Sequence, residues 1–158
     1  MAENRGKKFE NVIREAFEKV PNVSIDRLHD QTTGFKGSQN ICDFIVYREP
    51  YEYYIECKSV HGASLPFSNI TDTQFNGLSE KSQIEGVFAG VLCWFIDKDI
   101  TLFIPIRLLM WLELTGYKSI RYDYDDPTLI KIKGKKKRVF FDYDMEEFLN
   151  VFEREQGS

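Results

Sequence analysis

Apolar residues recur along the chain at two spacings, and the change from one to the other separates helices from strands. Phe9, Val12, Ile13, Ala16, Phe17 and Val20 follow the i, i+3, i+4 rhythm of one helical stripe. This predicts a helix over Asn4 to Val20, capped by Asn4 and ended by Pro21-Asn22. Val23 to Leu28 alternates weakly, as a first strand does. Cys42 to Tyr47 and Tyr53 to Cys57 are rich in β-branched and aromatic residues, and Arg48 to Tyr51, with Pro50, forms the turn between them. An irregular crossing over Ser59 to Ser68 leads to a helix that Thr71 opens and that runs to about Glu85. Gly86 to Ile96 is apolar at most positions, the pattern of a strand buried on both faces, and Ile100 to Ile104 returns after an Asp97-Lys98-Asp99 turn. A helix from Pro105 to Leu114, largely buried at Leu108, Leu109, Trp111 and Leu112, stops at Thr115-Gly116. Thr128 to Lys133 and Arg138 to Asp142 make a hairpin around Gly134 to Lys137. Asp144 to Glu155 is a last helix with Met145, Phe148, Leu149 and Phe152 on one face. These elements predict a single α/β domain over residues 1–158.

The hairpin after residue 41 carries the chemistry. A turn centred on Glu49 and Pro50 places Asp43 directly opposite Glu56, whether the loop holds two residues or four. Proline is awkward as the second central residue of a tight trans turn, which favours the longer loop. Side chains alternate along a strand, so Asp43, Glu56 and Lys58 share one face while Phe44, Val46, Tyr53, Ile55 and Cys57 form a core face. Two facing carboxylates repel unless something positive lies between them. Lys58 is one such group. A divalent cation such as Mg2+ is a better one, because it prefers oxygen ligands and keeps waters for a substrate phosphate. An exposed hairpin with a surface ion pair is the plainer account of the same residues.

Other positions carry two readings each. Glu10 sits at the edge of its helical stripe, either paired with Arg14 or as a third carboxylate facing the same site. Thr71-x-x-Gln74 fits a capping box; Gln74 alternatively holds a water or phosphate oxygen at the site, and can do only one of these jobs fully. His29 to Asn40 is a polar, glycine-containing loop in which Phe35 and Lys36 either contact a ligand or merely connect. His29 reads as structural. Asp123, Asp125 and Asp126 lie in a loop without the length and glycine placement of a calcium loop, so a solvated turn is expected. Cys42, Cys57 and Cys93 lack zinc spacing and read as reduced core thiols.

With 158 residues the chain suits one domain with one core, and thirteen Phe and eight Tyr supply it. The absence of a bilayer-length apolar run and of a leader pattern predicts a cytoplasmic protein. A formal net charge of -4 argues against a general basic coat for nucleic acid. The charge is uneven, however. Lys131 to Arg138 is a basic block, either a solvated hairpin end or a phosphate-binding finger, and Arg5, Lys7 and Lys8 form a second basic group.

Asp43 followed by Glu56-Cys57-Lys58 resembles the PD-(D/E)xK nuclease superfamily. Four segments in order resemble its RecU-type Holliday junction resolvases: Asn4-Arg5-Gly6 before a helix with Glu10; Cys42-Asp43-Phe44 with Glu56-Cys57-Lys58; Leu65-Pro66-Phe67-Ser68-Asn69-Ile70 leading to Gln74; and Gly116-Tyr117-Lys118-Ser119-Ile120. The resemblance implies a restriction-endonuclease-like core, a central mixed β-sheet flanked by helices. It implies an Mg2+- or Mn2+-dependent endonuclease that resolves four-way junctions as a homodimer, leaving a 5′-phosphate and a 3′-hydroxyl. Asp43, Glu56 and the Cys57 carbonyl would bind the metal. Lys58 would position and help deprotonate the attacking water or neutralise charge on the phosphate. Glu10 would orient a bound water or second ion, and Gln74 would hold the nucleophile. Candidate DNA contacts are Arg5, Lys7, Lys36, Lys135, Lys136, Lys137 and Arg138. The chain departs from the family in two respects: only His29 to Ile41 is available for the protruding stalk, and Thr73 stands where a His usually precedes the Gln. Flaps, other branched DNA or plain duplex are alternative substrates, and a non-catalytic DNA-binding module is an alternative role.

Overall fold

The computed structural model describes residues 5–28 and 40–156; Asn4, His29, Phe35 and Lys36 lie outside them. Six strands form a mixed sheet in the order β1-β2-β3-β5-β6-β8. They are β1 (Ser24–Arg27), β2 (Phe44–Arg48), β3 (Tyr51–Val60), β5 (Val87–Phe95), β6 (Ile100–Pro105) and β8 (Ile130–Lys131). Among the described residues only the β3–β5 pair is parallel. Helices α1 (Arg5–Glu18) and α4 (Met145–Gln156) cover one face, and α2 (Asp72–Lys81) and α3 (Ile106–Leu114) cover the other. Strand β5 shows why both coverings are needed. Leu92 and Trp94 point into the first core layer, whereas Ala89, Val91, Cys93 and Phe95 point into the second. No helix among the described residues is long and apolar enough to cross a membrane.

The boundaries depart from the sequence reading where contacts distant in sequence decide them. Arg48 pairs directly with Tyr51, so the first hairpin has a two-residue loop and not four. The Glu49–Pro50 peptide is cis, and a cis proline suits the second central position of a tight turn. Strand β3 runs on through Val60, and the crossing beyond it contains β4 (Ser64–Pro66), which pairs with β7 (Ser119–Arg121). Helix α2 ends at Lys81, short of Glu85. Trp111 is 54% exposed, because α3 packs through Leu108, Leu109 and Leu112 and leaves its outer side uncovered. The lysine-rich segment is itself a strand: β9 (Gly134–Lys136) pairs with β10 (Phe141–Tyr143), and the tip lies at Lys137 to Phe140.

Glycine at 77, inside α2, forgoes about 1 kcal/mol of helix propensity relative to alanine. Its reason is a close approach: a methyl group there would overlap Cβ and Cγ2 of Ile41, two residues before Asp43. Gly77→Ala should therefore lower the melting temperature, at a cost of about 1–3 kcal/mol from overpacking, despite the better helix former. A higher melting temperature would show that α2 has room to move away from Ile41.

Candidate active site

Continuing the β2–β3 register by one pair puts Asp43 opposite Glu56, as the turn position predicts. The backbone, however, departs from a regular ladder there. Asp43 N donates to Ile55 O at 3.1 Å, although Ile55 is the register partner of Phe44. Two residues thus face one, which is a β-bulge. Cys42 agrees: it has the parity of Phe44 but packs in the core layer on the other side of the sheet. In an unbroken ladder Cys57 would face Cys42. Instead, Cys57 N donates to Asp43 Oδ2 at 2.9 Å. The bulge swings the Asp43 carboxylate into the ladder and against β3, beside Glu56.

Glu56 is 4% exposed. Lys58 Nζ lies 3.1 Å from its Oε2, and Gln74 Nε2 donates to the same oxygen at 3.0 Å. The other carboxylate oxygen, Oε1, is buried without a hydrogen-bond partner. Gln74 also completes the capping box, its Oε1 accepting from Thr71 N at 3.1 Å and its own N–H donating to Thr71 Oγ1 at 3.2 Å. The capping reading of Gln74 holds, and its carbonyl oxygen does that work while its amide nitrogen reaches Glu56. This orientation of the amide is forced, since Thr71 N can only donate and an ionised Glu56 can only accept.

Glu10 approaches from α1, on the opposite face from Gln74, and its carboxylate acts on both Asp43 and Glu56. Its partner is not the expected Arg14, which bonds Glu18 at 2.9 Å. Arg27 of β1 takes that role, donating to Glu10 Oε2 at 3.1 Å and to Asn11 Oδ1 at 2.9 Å. Sequence reasoning missed Arg27, since nothing in the local pattern ties a residue of β1 to one face of α1. Arg5 and Lys7 are exposed at the start of α1, and Lys135, Lys136, Lys137 and Arg138 lie on the β9–β10 hairpin. Asp123 is salt-bridged to Arg121 on the surface, as a solvated loop would have it. The three cysteines are buried and unpaired, with burial raising each thiol pKa.

Burial, and then the charge of Glu56, push the Asp43 carboxyl up to about 6. Burial also raises Glu56, and Lys58 pulls it part of the way back. Among the described residues no three His, Cys, Asp or Glu side chains form a ready-made metal cage. A magnesium-type ion does not need one, since it binds through one or two carboxylates and keeps its waters. Two raised carboxyls, an orphaned carboxylate oxygen and the nearby backbone of Cys57 fit such an ion.

No protein-family model matches the chain, and no curated protein does. Among solved structures the chain is similar to Hjc of Archaeoglobus fulgidus, a Holliday junction resolvase from an archaeal hyperthermophile. The identity is 19% and the TM-score 0.52, over 73% of this chain and 88% of that one. The core thus shares the mixed α/β fold of that protein. The likeness is to that fold in general and does not single out the RecU branch.

A carboxyl that holds its proton more tightly when folded stabilises the fold at low pH. That contribution fades as pH rises from the ordinary value of 3.8 through about 6. Above that window the Asp43 charge costs the metal-free protein up to roughly 3 kcal/mol. Asp43→Asn keeps an acceptor for Cys57 N–H and removes the charge. The metal-free variant should melt above the wild type near neutral pH, and the two should converge as pH falls to about 4. A variant that melts lower at neutral pH would contradict the charge cost.

Proposed function

We propose that the protein is a divalent-metal-dependent endonuclease that cuts branched DNA, four-way junctions above all. The observation that carries this reading is the buried, unpartnered Oε1 of Glu56 beside a second, half-buried carboxylate, that of Asp43. An uncompensated pair of this kind is costly in a structural hairpin and useful in a cation site. The nuclease-like fold supports the same conclusion.

Asp43, Glu56 and the Cys57 carbonyl are the groups that would hold Mg2+ or Mn2+. What the ion supplies when bound is polarisation of a phosphodiester and a water of lowered pKa. Lys58 holds a positive charge 3.1 Å from Glu56, where it positions the attacking water and offsets negative charge developing on the phosphate. Gln74 orients Glu56 through a helix cap that fixes its own side chain. Glu10, held by Arg27, presents an acceptor to water at the site. Cutting two strands of a junction in concert takes two such sites, which a symmetric homodimer supplies.

The test is incubation of labelled four-way junction, flap and linear duplex with Mg2+, with Mn2+ and with EDTA. Junction cleavage that needs the metal is expected. Asp43→Asn should abolish it by more than the roughly 10- to 100-fold typical of a group that only supports a ligand, which is the loss expected for Gln74→Ala. Cleavage of flaps or duplex alone would reassign the substrate. Junction binding without cleavage in any metal would overturn the enzymatic reading.

A further inference from the structure

The β9–β10 hairpin is a second charged feature that the cleavage site does not use. Five cations, Lys133, Lys135, Lys136, Lys137 and Arg138, occupy six exposed positions on a chain whose net charge is -4. The hairpin is firmly seated. Tyr143 Oη and Thr101 Oγ1 share a buried hydrogen bond of 2.6 Å, and Phe140 packs on Trp94 with ring centroids 5.3 Å apart. Asp144 N donates to Lys133 O at 2.9 Å, and Lys137 N to Phe140 O at 2.8 Å.

Ion pairing sorts the cations. Lys136 turns back to the body and pairs with Asp99, and Lys133 pairs with Glu147 at 3.0 Å. Asp142, across from Lys135, is taken by Lys19 at 2.9 Å. Lys135 lies on the face of β9 opposite Lys136, Lys137 follows just beyond the strand, and Arg138 is at the tip. Among the described residues no carboxylate lies within salt-bridge distance of these three. The acids beside the hairpin are thus each held by another lysine, which leaves three exposed cations in a row.

The hairpin also lies next to the cleavage site. The Tyr143 ring meets Phe9 edge-on at 6.2 Å, and Phe9 precedes Glu10. Trp94, which supports Phe140, is the register partner of Ser59, the residue after Lys58. A rigid cationic edge at this place matches a phosphate backbone passing the site. The geometry points to the β9–β10 hairpin as a finger that grips the backbone of a DNA arm through Lys135, Lys137 and Arg138. This inference rests on the nuclease reading and adds to it a named DNA-binding element.

The experiment compares wild type with the triple variant Lys135→Gln, Lys137→Gln, Arg138→Gln, and with Lys133→Gln, Lys136→Gln as a control for the two ion-paired lysines. Junction binding is measured with Ca2+ over a salt series, cleavage with Mg2+, and melting temperature for each protein. Loss of three phosphate contacts flattens the slope of log K against log salt by about 2 to 3 and weakens binding roughly tenfold or more near 0.1 M salt. The expected result is that change in the triple variant, with KM raised, kcat at saturating junction kept and the melting temperature unchanged. The double variant of the ion-paired lysines should change the slope by less than about 1. A triple variant with wild-type slope and KM would overturn the finger while cleavage by the wild type left the nuclease reading standing. A wild type that neither binds nor cuts junctions would overturn both.

Discussion

One hydrogen bond organises the site: Cys57 N–H to the carboxylate of Asp43. It turns an ordinary antiparallel pair into a bulge and draws an acid into the place of a backbone carbonyl. Asp43 is then fixed to the same strand that carries Glu56 and Lys58. The result is two acids confined against a sheet with little water to separate their charges, which is why both carboxyls hold their protons more tightly than usual. Lys58 and Gln74 relieve this only in part, because both engage the same oxygen of Glu56.

The rest of the fold serves this confinement from two sides. On one face α1 brings Glu10, steadied by Arg27. On the other α2 brings Gln74, which its own capping box holds in one rotamer. The glycine at 77 lets α2 approach the chain leading to the bulge. The parallel β3–β5 pair, buried on both faces, is the rigid floor beneath these contributions.

Much of this was legible in the chain. Wherever a helical period persisted, as in α1 and α4, or an apolar run was long, as in β5, the element was found where expected. The β2–β3 register, as far as Phe44–Ile55, followed from turn position alone, and that register does not depend on loop length. What could not be read is what distant contacts impose. The β4–β7 pair is three residues a side, too short for any periodicity. The lysine-rich stretch becomes a strand because Phe141 to Tyr143 pairs with it, and Tyr143 is anchored by Thr101. The bulge at Asp43 and the Arg27–Glu10 pair likewise depend on neighbours that no local window contains.

In the proposed function Asp43, Glu56 and the Cys57 carbonyl hold one cation. Anomalous diffraction from crystals grown with Mn2+ addresses this directly. A peak bounded by those three groups, with Glu56 Oε1 among the ligands, is expected. A peak elsewhere, or an empty site with Glu56 Oε1 hydrogen-bonded within the protein, would contradict it.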